Sequence, residues 1–246
     1  MGVFSVLKLI GIGFNTVLLA PLVVAVAAVD EDWAYRLCRL WVRANLLVCG
    51  VRVRARREAA LDPRTPYVFM SNHSTHVDVL AVVAALPEFQ LRWVAKRELT
   101  EVPVFGWALR HAGHVIIDRG DHAEAMRSLR AAREKMRRGV SVMIYPEGTR
   151  GPGGGSMLPF KRGGFVLAEE AQIPIVPVAI TGSSAVLARR DWRIHPGAID
   201  VVIGAPIPVA GMGHEEMMRQ VRERLEAMLH AAPTPHAAPR RVAGMR

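Results

Sequence analysis

Acidic side chains and cysteines are both scarce in this chain. Its 246 residues carry 22 Asp and Glu against 32 Lys and Arg, a formal net charge of +10 with a pI near 10.7. Such a balance favours anionic partners: phospholipid surfaces, phosphorylated small molecules or nucleic acid. The two cysteines, Cys38 and Cys49, lie in apolar or amphipathic surroundings without metal-ligand spacing. They read as small hydrophobes in a reducing compartment rather than as a disulfide framework or a metal site. Also missing are internal repeats and the glycine-flanked serine elbow of lipid hydrolases. Cations gather at predicted strand ends in the longer part of the chain rather than along one helix with interleaved aromatics, which disfavours nucleic acid as the partner.

Charge is missing altogether from Leu9 to Val29, a run of 21 residues whose polarity is broken only by Asn15 and Thr16, with Pro21 as a helix disturber. About 20 apolar residues suffice to cross a bilayer. A cleaved signal peptide is the competing reading, with Ala25-Val26-Ala27 as an acceptable site, but the run exceeds a usual h-region and only Lys8 precedes it. Retention is therefore expected. Asp30-Glu31-Asp32 then caps a second helix, on which Trp33, Leu37, Leu40, Trp41, Ala44, Leu47 and Val48 recur at helical spacing beside Arg36, Arg39 and Arg43. An apolar face next to an arginine stripe suits the headgroup region of an anionic membrane, and a core-facing helix is the alternative. Arginines on the C-terminal side of the run place the catalytic part of the chain on the cytoplasmic side of the cell membrane by the positive-inside rule.

With 51% hydrophobic residues and a mean hydropathy of +0.19, the rest is long enough for one substantial core. Val51 to Arg56 alternates as an edge strand would. Tyr67 to Met70 reads as a buried strand, Ser71-Asn72 ends it, and Val77 to Leu86 reads as a helix. His73 thus stands where strand becomes helix, the place at which side chains leave the sheet and face a crevice in α/β folds. Asp78 is five residues on, so the two can meet only if His73 lies outside the helix. A carboxylate-oriented histidine is a general base suited to neutral pH.

Further elements end on cations. Leu91 to Ala95 is a strand delivering Lys96, and Gly113 to Arg119 a strand closing on Arg119. A helix follows, with Asp121 and Glu124 as its capping box and Gly139 as its stop. Val140 to Tyr145 is the next strand, completing a strand, helix, strand unit that predicts a partly parallel sheet. It runs into Pro146-Glu147-Gly148-Thr149-Arg150 and a glycine-rich loop, a composition that suits a phosphate. Lys161 opens another helix, whose N-terminus also favours anions. Ile173 to Ile180 contains Pro174 and Pro177 and is expected at an edge or with an irregular first half. Ala198 to Ile203 reads as a strand, Glu215 to Leu229 as a helix, and the Ala/Pro/Arg-rich end as a disordered basic tail. The fold class is α/β, a mixed, partly parallel sheet covered by helices, behind an N-terminal helical membrane segment.

Four stretches, in order, resemble the glycerolipid acyltransferase family to which 1-acylglycerol-3-phosphate acyltransferases belong. Asn72 to Asp78 is similar to its His-x4-Asp block, Gly113 to Arg119 to its second block, Pro146 to Arg150 to its Pro-Glu-Gly-Thr-Arg block letter for letter, and Ile173 to Val178 to its apolar-proline block. The segments around Lys96 and Lys161 also resemble the family's flanking sequence. The resemblance runs from about Arg52 to Ala210. It departs from the family at Gly151, where serine is common, and at Tyr145, where phenylalanine is usual.

The chain is thus expected to divide into residues 1–50 as a membrane-associated segment and 231–246 as a tail, by composition, with 51–230 as the acyltransferase domain that the resemblance implies. The implied reaction moves a fatty acyl group from acyl-CoA or acyl carrier protein to a hydroxyl of 1-acyl-glycerol 3-phosphate, by direct attack and with no metal or cofactor. In it His73 is the base and Asp78 orients it. Arg119, Glu147, Gly148, Thr149 and Arg150 hold the acceptor's phosphate and glycerol, and the cations Lys96 and Lys161 add to the anion site. Glycerol 3-phosphate or another lysolipid is the alternative acceptor. A peripheral lipid-binding protein is the non-enzymatic alternative, one that would not need His73 with Asp78.

Overall fold

The computed structural model describes residues 2–103, 105–117 and 122–231. Arg119, the expected Asp121–Glu124 capping box, the Lys96 side chain and the tail from 232 onward lie outside what it describes.

Two helices lead the chain, α1 (Val3–Ala27) and α2 (Glu31–Cys49), folded back on each other as a hairpin. Asp30 caps α2 by accepting from the Asp32 and Trp33 N–H groups, and Gly50 ends it at φ 67°, the left-handed turn that glycine adopts freely. The polar residues inside the apolar run are the clamps of this hairpin. Asn15 Nδ2 donates to Asn45 Oδ1 at 3.1 Å and to the Trp41 carbonyl at 3.3 Å, while Trp41 Nε1 donates to Thr16 Oγ1 at 3.0 Å. Pro21 is accommodated within the continuous helix.

A seven-stranded sheet follows, with β1 (Val51–Arg57), β2 (Val68–Ser71), β3 (Leu91–Lys96), β4 (Val115–Ile117), β5 (Ser141–Ile144), β6 (Ile175–Thr181) and β7 (Gly197–Ile203). Its order is β1-β7-β6-β2-β5-β3-β4, and every neighbouring pair is parallel except β6 with β7. The sheet is therefore mixed, with β1 at an edge as its alternation predicts. β6 is an interior strand, not an edge one. Its ladder with β7 begins only at Val178, so the N–H that Pro177 lacks falls beyond the paired stretch, which satisfies the restriction proline imposes.

Helices α3 (Val77–Ala85), α4 (Phe105–His111), α5 (His122–Arg137), α6 (Gly163–Ala171), α7 (Ser183–Val186) and α8 (His214–Ala231) complete the fold. The period-two alternation of β2 sends Phe69 into a core with α2 and α3, and Val68 and Met70 into a second core with α5, α6 and α8. The helix pair is thus docked on the sheet, not tethered beside it. On α2, Tyr35, Val42 and Leu46 face the core, whereas Trp33, Leu40 and Leu47 of the expected apolar face are open, interleaved with exposed Arg36 and Arg43. One face of the helix thus packs on the core, and the opposite face is open with its arginines.

His114 stands just before β4, where its Nδ1 accepts the Trp93 N–H at 3.2 Å. Burial first, then the charges of Arg92 and Lys135, push its pKa down to about 3. A histidine held neutral contributes stability that is complete above its ordinary pKa of about 6.5 and is lost as pH falls from there toward 3. Denaturant unfolding in detergent at pH 7 and pH 5 will show a drop in midpoint for the native chain and a smaller drop for His114→Gln, whose carbonyl can still accept from Trp93.

Candidate active site

β2 and β5 are parallel neighbours with Met70 opposite Ile144, so their carboxyl ends release His73 and Tyr145 side by side. Asn72 extends the sheet by one step after β2 ends: its side chain donates to the Ile180 carbonyl at 2.9 Å and accepts the Ile180 N–H at 2.8 Å. The strand-to-helix turn is fixed against β6 before His73 is reached.

Asp78, in the first turn of α3, is fully buried. Its Oδ2 accepts the N–H groups of Ser74 at 2.7 Å and Thr75 at 2.8 Å and lies 2.9 Å from His73 Nδ1. An acceptor-only carboxylate at that nitrogen makes Nδ1 the protonated one, leaving Nε2 as the basic atom. The Tyr145 ring stacks on the imidazole, centroids 3.9 Å apart and planes 14° from parallel. His73 keeps only 14% of its side-chain surface exposed, and that surface lines a cavity.

The cavity holds about 950 Å³ and is two-toned. Its open side carries the exposed His76, Thr149 and Lys161 with the half-buried His73, Gly148 and Arg150; its buried side includes Val83, Trp93 and Tyr35, with Val79 and His114 also lining it. One wall belongs to α1 and α2, through Leu19, Ala20, Val23 and Trp41. Leu99 and Leu109 from the stretch around α4 line it as well. A cationic mouth over an apolar shaft accommodates a phosphate-bearing headgroup and a hydrocarbon chain, as ligand sites with few convergent polar groups do.

Of the residues expected at the site, His73, Asp78, Gly148, Thr149, Arg150 and Lys161 are brought together. Glu147 has a different position from the one its motif implied. It is 2% exposed and does not reach the cavity: Oε1 accepts the His73 N–H at 3.0 Å and Oε2 the Leu158 N–H at 2.8 Å. Burial pushes its pKa up, and those two N–H groups pull it back. The Gly151 N–H in turn donates to the His73 carbonyl at 2.7 Å. Both backbone polar groups of His73 are therefore held by the segment from Glu147 to Gly151, which makes Glu147 a strut of the His73 turn.

His76, Tyr145 and Asn72 are the residues that sequence reasoning passed over. His76 stands at the mouth, where burial first and then the charges of Arg150 and His73 hold it below the ordinary histidine range. Tyr145 was visible only as a departure from phenylalanine, and a ring stacked on His73 needs no hydroxyl. Asn72 could have been found from its place directly after a strand, where a side-chain amide can mimic a ladder partner.

Replacing Glu147 by Gln turns an amide NH₂ toward one of two backbone donors and leaves that donor unpaired, a loss of about 1–3 kcal/mol. Gly151→Ala acts on the same strut, because a Cβ there would stand 2.5 Å from Glu147 Oε2. Both variants are expected to lower the unfolding midpoint and to reduce kcat more than KM, measured side by side.

Comparison with known proteins places this geometry. Residues 52–181 match the Acyltransferase family model. The human 1-acyl-sn-glycerol-3-phosphate acyltransferase alpha is 35% identical over 185 residues, covering 74% of this chain and 64% of that protein. The 1-acyl-sn-glycerol-3-phosphate acyltransferase of Pseudomonas aeruginosa is 33% identical over 200 residues, covering 81% of this chain and 74% of that one. The chain thus spans a little under two thirds of the length of the mammalian relatives it matches. The crystal structure of the 1-acyl-sn-glycerophosphate acyltransferase PlsC from Thermotoga maritima shares the fold, with a TM-score of 0.77, 22% identity and coverage of 92% of this chain and 93% of that one. With over half its length on the family model and its His-x4-Asp pair in contact at the cavity mouth, the chain belongs to the acyltransferase family.

Proposed function

We propose that the protein transfers a fatty acyl group from a thioester, acyl-CoA or acyl carrier protein, to the free hydroxyl of 1-acyl-glycerol 3-phosphate. The observation that carries this reading is the contact of His73 with Asp78 at the mouth of a shaft wide and apolar enough for an acyl chain. The names of the relatives support the acceptor.

In the proposed reaction His73 Nε2 takes the proton of the acceptor hydroxyl as its oxygen attacks the thioester carbonyl. The imidazolium that forms is stabilised by Asp78, which stays ionised. Collapse of the tetrahedral intermediate breaks the carbon–sulfur bond, and the departing thiolate takes the proton from His73, returning it to the neutral form. No side chain is acylated, and no cofactor enters. Arg150 and Lys161 at the mouth offer charge-assisted donors to the acceptor phosphate, with the Gly148 and Thr149 backbone beside them. Lys96 and Arg119, by the family resemblance, would add to this anion site.

The setting proposed for the reaction is the cytoplasmic side of the cell membrane. α1 is 25 residues long and apolar, but one face packs on α2 and reaches α4 and the cavity. The opposite face, Phe4, Leu7, Ile10, Phe14, Val17 and Leu22, is open at helical spacing. A helix held along its length by the rest of the chain fits insertion in the plane of one leaflet better than a crossing.

The purified protein in detergent, given labelled acyl-CoA or acyl carrier protein with a panel of lysolipids and glycerol 3-phosphate, tests donor and acceptor together. His73→Ala is expected to cut kcat by roughly 10²–10⁴-fold, the usual share of general base catalysis, with membrane association intact. Arg150→Gln is expected to raise KM for the phosphate-bearing acceptor and to leave KM for the donor nearly unchanged. A kcat in His73→Ala within about tenfold of the native value, above what the usual loss of a general base leaves, or an acceptor without a phosphate used equally well, would sink the proposal.

A further inference from the structure

The segment between β6 and β7 forms a small hairpin that the proposed chemistry does not use. Leu187 and Ile194 pair across its base as an antiparallel bridge, and its tip reads Ala188-Arg189-Arg190-Asp191-Trp192-Arg193. Trp192 is 39% exposed at the tip. Asp191 is committed to Arg193 at 3.1 Å, and Arg189 and Arg190 both stand exposed. Arg190 has φ 65°, a conformation that glycine adopts freely and an arginine only with strain. Strain kept at a tip of three cations and a tryptophan asks for a partner.

The position of the hairpin identifies that partner. Lys8 Nζ, near the start of α1, donates to the Ile194 carbonyl at 3.1 Å. The Gly197 N–H donates to the Gly50 carbonyl at 3.2 Å, which ties the hairpin's exit to the end of α2. At the second of these contacts lies a groove of about 420 Å³ lined by Leu46, Leu47, Gly50, Val51, Arg52 and Pro196. The hairpin therefore continues the open apolar stripe of α1 and the Trp33, Arg36, Leu40, Arg43, Leu47 row of α2. Tryptophan with arginines is the composition of a membrane–water interface, where the indole sits at headgroup level and each cation is attracted to anionic lipid.

We infer that the Leu187–Ile194 hairpin is a second foot of the protein on an anionic bilayer, with Trp192 at the boundary of headgroups and acyl chains and Arg189 and Arg190 on phosphodiesters. The inference rests on the membrane seating of α1 and α2 proposed above, and the experiment separates the two. The full chain is reconstituted on vesicles containing phosphatidylcholine brominated near the carboxyl end of its chains, with or without phosphatidylglycerol, and tryptophan quenching is compared for the native protein, Trp192→Phe and Trp33→Phe. Part of the quenching is expected to vanish in Trp192→Phe and, separately, in Trp33→Phe. The Trp192 part is expected to require phosphatidylglycerol, to disappear in high salt, and to be lost in Arg189→Gln/Arg190→Asn. If quenching falls in Trp33→Phe and not in Trp192→Phe, the hairpin stays in water and this inference is overturned while the seating of α2 stands. If neither variant changes, both fail. Trp192 quenching that is equal without phosphatidylglycerol overturns the role given to the arginines.

Discussion

One buried carboxylate oxygen organises the catalytic end of this molecule. Asp78 Oδ2 receives two backbone N–H groups and the His73 imidazole, hydrogen bonds that offset the cost of burying a polar group. Because two of the three donors are backbone, the carboxylate fixes the turn as much as it fixes the ring. The same turn is gripped from the other side, where Glu147 and Gly151 take the N–H and carbonyl of His73. Two motifs 74 residues apart are thus parts of one clasp. The base they hold is fixed on four sides, by the Asp78 carboxylate, the two backbone contacts and the stacked Tyr145 ring.

The second constraint is that the cavity is not a property of the sheet domain alone. Leu19, Ala20 and Val23 of α1 and Trp41 of α2 close its wall, held there by the Asn15–Asn45 and Trp41–Thr16 bonds. Glu31 at the start of α2 reaches Arg92, a fully buried arginine of β3, at 3.4 Å and Lys135 of α5 at 3.3 Å. A buried guanidinium left without its carboxylate is costly, so this end of the hairpin is pinned to the sheet. The N-terminal segment is better understood as part of the site than as an anchor attached to it.

Much of this was legible because the pattern and the chemistry agree locally. The apolar run ending at Ser71-Asn72, followed by a helical period from Val77, locates the His73 junction, and the five-residue spacing to Asp78 then requires the geometry found. The order of strands was not legible, since the two prolines of β6 allow either an edge strand or an irregular first half, and the structure has the second in an interior strand. What rescues it is where β7 stops pairing, a tertiary fact. The role of Glu147 was hidden for a related reason: an acidic residue inside a phosphate-suited loop reads as a ligand until its partners, the His73 and Leu158 N–H groups, are seen. α2 misled in a third way, for a helix apolar on two faces gives no single stripe, and the expected row mixed the open Trp33, Leu40 and Leu47 with Trp41, which lines the cavity.

The two faces of α1 bear on how a lipid substrate would reach His73. On the proposed reading the substrates carry long chains, and each methylene exposed to water costs about 0.8 kcal/mol, so a chain of ~16 methylenes crossing water would meet a barrier of about 13 kcal/mol. No binding step at a cationic mouth offsets that. A route that never leaves apolar surroundings avoids it, and α1 supplies both of its ends: the outer stripe of Phe4, Phe14 and Leu22 faces where the bilayer would be, and Leu19 and Val23, a fraction of a turn away, face the shaft. The phosphate meanwhile stays at the mouth with Arg150 and Lys161. Placing the base at the junction of those two environments lets a single molecule keep its headgroup wet and its chain dry while its hydroxyl meets the imidazole.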